Sequence, residues 1–383
     1  MAESPPVASS FEWHQWPKGR TRVTEINWDE LDALHLKSWT PRAQLSLPVT
    51  NVPRSAVPSV DVHNHLGRSL NDGEWMFDDV SRLISIMDQA NVRTIVNLDG
   101  MWGDELSENI ERYDAAYPGR FATFCRLEWE KLAEPDGADQ LIASLDDSKR
   151  RGARGVKVWK NLGLSVRDAD GALILPDDPR VIRVLEHAGR VGLPVLIHVA
   201  DPKAFFAPLD ETNERIDELR GQRDWWFGDT DVYPTFDRLV DGLATLVIAT
   251  PGTTYIGAHI GCVGEDLDWV ERLFERADNF HVDMGGRMAE IGRQPRRFAA
   301  LARRYPERVL FGTDIYPAST EAYALYFRFL ETEDEAFDYA PEESIPPQGR
   351  WTVSALGLDL PALAAVYSDN ACRILALSEP TAL

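Results

Sequence analysis

From about residue 58 the chain repeats one pattern: a short apolar run, an amphipathic stretch, then another apolar run. The strand-length runs cover residues 60–65, 93–98, 121–127, 155–159, 194–199, 254–259, 281–284 and 309–314. Between most of them lie stretches with helical spacing of apolar residues, at 78–90, 104–117, 139–151, 179–191, 267–277 and 296–305. Eight strands separated by helices predict a (β/α)8 barrel. Its strands are covered on both faces, which suits near-continuous runs such as Val195-Leu196-Ile197 better than a polar–apolar alternation.

In such a barrel, chemistry gathers at the C-terminal ends of the strands. Val60-Asp61-Val62 runs into His63-Asn64-His65, and alternate side chains of a strand share a face, so the two imidazoles can converge on one ion. Leu196-Ile197 leads into His198, Gly257-Ala258 into His259, and Gly312-Thr313 into Asp314. His281 opens its run and His187 falls within a helical stretch, so neither is assigned to the site. Asn97, Asp99, Arg126 and Glu128 lie near other strand ends, but no pattern gives them roles.

Composition narrows the function. The 383 residues carry 40 basic and 62 acidic side chains, a net charge of −22, which opposes binding to nucleic acid or to an anionic membrane. No apolar stretch approaches a bilayer span, and Met1–Ser10 lacks the layout of a signal peptide. Cys125, Cys262 and Cys372 have no paired short spacing, so a reduced, cytoplasmic protein is expected.

Residues 1–57, with Trp13, Trp16, Trp28 and Trp39 and a short helix expected around 27–37, read as an N-terminal extension packed on a barrel that occupies 58–383. Residues 201–235 form a loop after strand 5 long enough to cover the mouth, and its Phe205, Phe206, Trp225 and Trp226 are candidates for a pocket wall or for rim packing. Residues 331–349 are expected to be a surface loop.

The ordered set Val62-His63-Asn64-His65-Leu66, Ile197-His198, Gly257-Ala258-His259-Ile260-Gly261 and Phe311-Gly312-Thr313-Asp314, with the ending Asp369-Asn370-Ala371-Cys372-Arg373, resembles the amidohydrolase superfamily. It is most similar to the amidohydrolase-related branch that includes aminocarboxymuconate semialdehyde decarboxylase and the resorcylate-type decarboxylases. The resemblance implies that His63, His65, His198 and Asp314 bind a divalent metal, with Asp314 and His259 catalytic. Zinc suits this mixture of imidazole and carboxylate, with manganese or iron as chemical alternatives. One ion is expected; two would require Lys157, on the fourth strand, to be carboxylated as a bridge, and its other role would be to hold a substrate carboxylate. Strand parity places Lys157 and Lys160 on opposite faces, so one of them is expected to enter the site. Arg287, after Gly285-Gly286, is a second candidate for an anionic substrate.

Hydrolysis of a small amide or lactone through a metal-activated water is the first functional expectation. Non-oxidative decarboxylation of a small aromatic or enoic acid is the alternative, and a non-catalytic metabolite-binding barrel stands third, because a convergent buried polar set is costly without an ion to satisfy it. The expected partner is a small molecule, an anionic one being compatible with Arg287, and a homo-oligomer is compatible with the composition.

Overall fold

The structure is a computed structural model that describes residues 28–378. Eight parallel strands run in chain order around a single sheet: β1 (Ser59–Asn64), β2 (Val92–Asn97), β3 (Phe121–Cys125), β4 (Gly155–Val158), β5 (Val195–Ile197), β6 (Tyr255–Gly257), β7 (Phe280–Asp283) and β8 (Val309–Leu310). The (β/α)8 expectation is met, each strand falling within a residue or two of its apolar run except β8, which is shorter. The flanking helices Val80–Ala90, Gly137–Arg151, Pro179–Arg190, Leu267–Arg276 and Pro295–Arg304 follow the amphipathic stretches. Aspartates cap three of these starts: Asp79 accepts from Ser81 N, Asp178 from Arg180 N, and Asp266 from Asp268 N and Trp269 N.

Barrel closure depends on β1 and β8. Val62 N donates to Phe311 O at 3.0 Å, and Asp314 N donates to His63 O at 2.7 Å. Beside this seam lies Asp61, fully buried, whose carboxylate accepts from Thr313 N and Oγ1, Tyr323 Oη, Asn64 Nδ2 and His63 N at 2.7–3.2 Å. Asp61 and Asn64 bond to each other although they are three residues apart, which ordinary strand alternation forbids. The register explains it: Asp61 pairs with Ile95 and Asn64 with Asn97, so β1 carries one extra residue, a bulge that aims His63 into the barrel while Asp61 and Asn64 face the seam.

Two of the loop readings need correction. Residues 331–349 are not simply a surface loop: Phe337 and Tyr339 are buried, and Gln348 reaches the barrel mouth. Lys160 does not follow strand parity, because β4 stops at Val158 and the chain turns before Lys160. The helices Phe236–Ala249 and Thr320–Glu331 are additions to the sequence reading.

Residues through Leu45 group as a unit of their own, apart from the unit that begins at Ser46; within it, Trp28–Asp32 is a short helix and Leu36–Ser38 a single 3-10 turn. Trp13, Trp16 and the Met1–Ser10 segment lie outside the described residues. Among the described residues no helix is long and apolar enough to cross a membrane.

Replacing Asp61 by Ala strips five donors of their acceptor at the seam. We expect a loss of about 3 kcal/mol in stability, read as a fall in the thermal midpoint, and a midpoint within a degree of the parent would contradict this account of closure.

Candidate active site

A cavity of about 250 Å³ opens at the C-terminal ends of the strands, and His63, His65, His198, His259, Asp314 and Arg287 all line it. Six of the seven site residues expected from sequence thus meet in one place. Lys157 is the seventh; fully buried in the barrel interior, it places Nζ 3.3 Å from His63 Nε2. Lys160, expected on the opposite face, also lines the cavity and pairs with Asp201.

Two carboxylates orient the paired histidines. His63 Nδ1 lies 3.0 Å from Asp283 Oδ2, and His65 Nδ1 lies 3.1 Å from Asp99 Oδ1. A carboxylate on Nδ1 keeps a proton there and turns Nε2 inward. Both Nε2 atoms point at Asp314 Oδ1, His65 at 3.3 Å and His63 at 3.6 Å. Asp99 had no sequence pattern to mark it and Asp283 was not singled out; each is a lone aspartate near the end of a strand, and only the fold shows which histidine it meets.

His259 is held by its backbone as much as by its ring. His259, Ile260, Gly261 and Cys262 all have φ between 59° and 66°, an unfavourable left-handed run for side-chain-bearing residues. Asp283 Oδ1 secures this turn by accepting from His259 N at 3.2 Å, and it also accepts from Gly285 N at 2.8 Å. The ring's Nδ1 lies 2.7 Å from Gly285 O, which makes Nδ1 the donor and leaves Nε2, 3.9 Å from Asp314 Oδ2, as the acceptor. Asp314 is itself left-handed, with φ 57°. Gly285 admits these groups: a Cβ there would lie 3.2 Å from both Asp314 Cβ and His63 Nδ1.

Electrostatics separates the histidines. Burial alone would strip the proton from His65, but Asp99 and Asp314 outweigh it and hold that proton to about 9. His198 has weaker compensation, and burial pushes it down to about 4; its Nε2 is buried without a hydrogen-bond partner, 3.5 Å from Asp201 Oδ1. Burial, then His198 and Arg287, lower His259 well below the usual imidazole range. Asp314 moves the other way: burial opposes its charge, yet His63, His65 and Lys157 keep its carboxylate well below the usual range.

The donor set suits a divalent cation. Ligand atoms of His63, His65 and Asp314 lie within 4.8 Å of one another, as do those of His63, His259 and Asp283. The second grouping is the weaker one, because both Asp283 oxygens already accept from N–H groups. His198 falls in neither grouping, although its unpartnered Nε2 faces the same cavity.

Of the four aromatic residues expected over the mouth, Phe205 and Trp225 line the cavity. Phe206 packs on Phe227 and Phe236 instead, and Trp226 donates from Nε1 to Ala207 O. Trp159 and Tyr316 complete an aromatic wall, each ring set edgewise about 5 Å from that of His65. Glu218 and Gln348 supply polar groups that the sequence did not single out. Arg287 is 6% exposed, forms no ion pair with any described carboxylate, and leaves Nε without a partner; Gly286 O accepts from its Nη1 at 3.2 Å.

The family model for amidohydrolases matches residues 96–377, which include His198, His259 and Asp314 and begin after the His63/His65 strand. No curated protein matches the sequence. Among solved structures, 2,6-dihydroxybenzoate decarboxylase complexed with 2,6-dihydroxybenzoate aligns over 84% of this chain and 100% of its own, at 15% identity and a TM-score of 0.51. The 2,6-dihydroxybenzoate decarboxylase from Rhizobium aligns over 84% and 99%, at 16% identity and 0.50. An amidohydrolase from Burkholderia multivorans with bound HEPES aligns over 84% and 100%, at 14% and 0.50. At these identities the likeness is one of fold.

The hydrogen bond to Gly285 O fixes the tautomer of His259. We expect nitrogen-15 correlations at neutral pH to show a neutral ring with its proton on Nδ1; a cationic ring, or a proton on Nε2, would contradict the geometry.

Proposed function

We propose that this chain, which belongs to the amidohydrolase family, is a metal-dependent, non-oxidative decarboxylase of a small aromatic or enoic carboxylic acid. The observation that carries this reading is Arg287: a buried guanidinium without a carboxylate partner, in the same cavity as the histidine cluster. A buried cation left uncompensated is costly, and a substrate carboxylate matches its planar fork. The aromatic wall of Trp159, Phe205, Trp225 and Tyr316 suits a flat apolar body attached to that carboxylate. The shared fold with a decarboxylase of dihydroxybenzoate is compatible with it.

His63, His65 and Asp314 would hold the ion, with His198 as the fourth donor through its unpartnered Nε2. We favour one zinc ion, because imidazole and carboxylate donors suit it and the motifs are most similar to the branch for which one ion is expected. When bound, a divalent cation supplies a Lewis acid that orients and polarises the substrate's oxygen atoms. Asp99 and Asp283 keep the histidine rings aimed, and Arg287 anchors the carboxylate. Decarboxylation breaks the carbon–carboxylate bond, leaves its electron pair on carbon and places a proton there. Solvent supplies that proton, and Asp314 and His259 Nε2, 3.9 Å apart and both poised as acceptors, form the pair that would relay it to the carbon.

A second reading has its own support. Asp314 is held ionised beside the same donors, as the base for hydrolysis of a small amide or lactone would need to be. The motifs alone serve either chemistry; the unpaired Arg287 tips the reading toward decarboxylation.

Metal analysis of protein purified without chelator should give about one ion per chain, lost in His63→Ala. Asp314→Asn should lower turnover by about a hundredfold or more. Arg287→Ala should raise KM for a carboxylate substrate by about tenfold or more, with Arg287→Lys in between. Carbon dioxide release from hydroxybenzoates and muconate-like acids, without oxygen uptake, separates the two chemistries. Turnover of amides or lactones with no carbon dioxide from any acid would sink the decarboxylase reading.

A further inference from the structure

Four charged side chains meet where the segment after β5 approaches the segment after β7: Arg215 and Glu218 from the first, Arg287 and Glu290 from the second. Local sequence favours a pair between Arg287 and Glu290. They stand three residues apart across the start of the short helix Met288–Ile291, a spacing that brings side chains together. They also run side by side, since a Cβ built on Gly264 would lie 3.4 Å from Glu290 Cβ and 3.6 Å from Arg287 Cδ. That pair does not form. Arg215, 1% exposed, takes both glutamates instead, with Nη1 donating to Glu218 Oε2 at 2.7 Å and Nη2 bonded to Glu290 Oε1. Arg287 Nε and Glu290 Oε2 are both left buried without a partner.

We propose that Arg215 is a positioning residue that withholds Glu290 from Arg287, and so keeps Arg287 open as the subsite for a substrate carboxylate. The proposal rests on the reading of Arg287 given above. Its physical basis is competition. A glutamate tethered next to Arg287 has a high effective concentration and would occupy the guanidinium in place of a free anion. A second, fully buried guanidinium that binds both glutamates removes the competitor, and it cannot leave, because its own charge needs them.

The probe is benzoate, a carboxylate on an aromatic ring, titrated calorimetrically into the full-length metal-loaded protein, with metal content and thermal midpoint measured in parallel. Wild type should bind it. Arg215→Met should bind benzoate about tenfold more weakly or worse, with metal content unchanged, because Glu290 turns to Arg287. Adding Glu290→Gln to Arg215→Met should bring the affinity back toward wild type, whereas an arginine with only a structural role predicts a double variant no better than the single one. If the methionine variant does not fold, Arg215→Lys, which keeps the charge but not the double pairing, should show a smaller weakening that Glu290→Gln also relieves. Undiminished binding in the Arg215 variants, or weakening without relief, would overturn the proposal and leave the carboxylate reading standing. Failure of wild type to bind benzoate would overturn both.

Discussion

The backbone hydrogen bond from Asp314 N to His63 O, 2.7 Å long, joins the segment that follows the last strand of the barrel to the first strand. It also joins two of the residues whose side chains make up the cluster, so closing the barrel and assembling the site are one event. Much else in the mouth follows from that join. The bulge in β1 turns His63 inward, and Asp61, on the other side of the seam, gathers five donors from β1, from the loop after β8 and from the helix Thr320–Glu331. A carboxylate buried so completely is tolerable only with such a set of donors, and those donors fix the spacing between the first and last strands.

The second dependence is electrostatic. The cavity collects imidazoles, carboxylates, a lysine and an arginine, and most of them are held in pairs: His63 with Asp283, His65 with Asp99, Lys160 with Asp201. Pairing keeps a proton on Nδ1 in the first two, and it leaves three Nε2 atoms and one carboxylate converging. Asp283 links two of the elements, since one oxygen aims the His63 ring while the other holds the left-handed turn at His259. That turn places unfavourable backbone at three of four successive residues, Gly261 being the one at ease there. Strain of this kind persists only where surrounding bonds over-determine it, and here those bonds belong to the site.

Periodicity made the architecture legible. Each strand lies in an apolar run and the amphipathic stretches became helices, because the pattern that buries a strand on both faces is written along the chain itself. The residues at strand ends were legible for the same reason, as polar groups where apolar segments stop. What could not be read were relations between distant segments. Nothing near Asp99 or Asp283 announces the histidine it will meet 34 or 220 residues away. Lys160 entered the mouth because β4 ended two residues before it, a boundary finer than periodicity resolves. Gln348 arrived from a Pro-rich acidic stretch whose composition reads as solvent-facing. Of the four aromatics after β5, two turned to the cavity and two to the rim, a choice made by packing on Phe227, Phe236 and Ala207 rather than by residue type.

The histidine cluster alone does not choose a reaction, because polarising an oxygen atom serves hydrolysis and decarboxylation equally. The choice falls to the rest of the cavity wall, and there the informative quantity is compensated charge. Lys160 has Asp201, and Arg215 has two glutamates. Arg287, which lines the cavity, has no partner among the described carboxylates, although Glu290 lies beside it. A site for neutral amides would gain nothing from that arrangement, since the desolvation cost of an unpaired guanidinium is borne by every empty molecule. A site for a carboxylate acid recovers the cost on binding and uses the same contact to orient the bond that breaks.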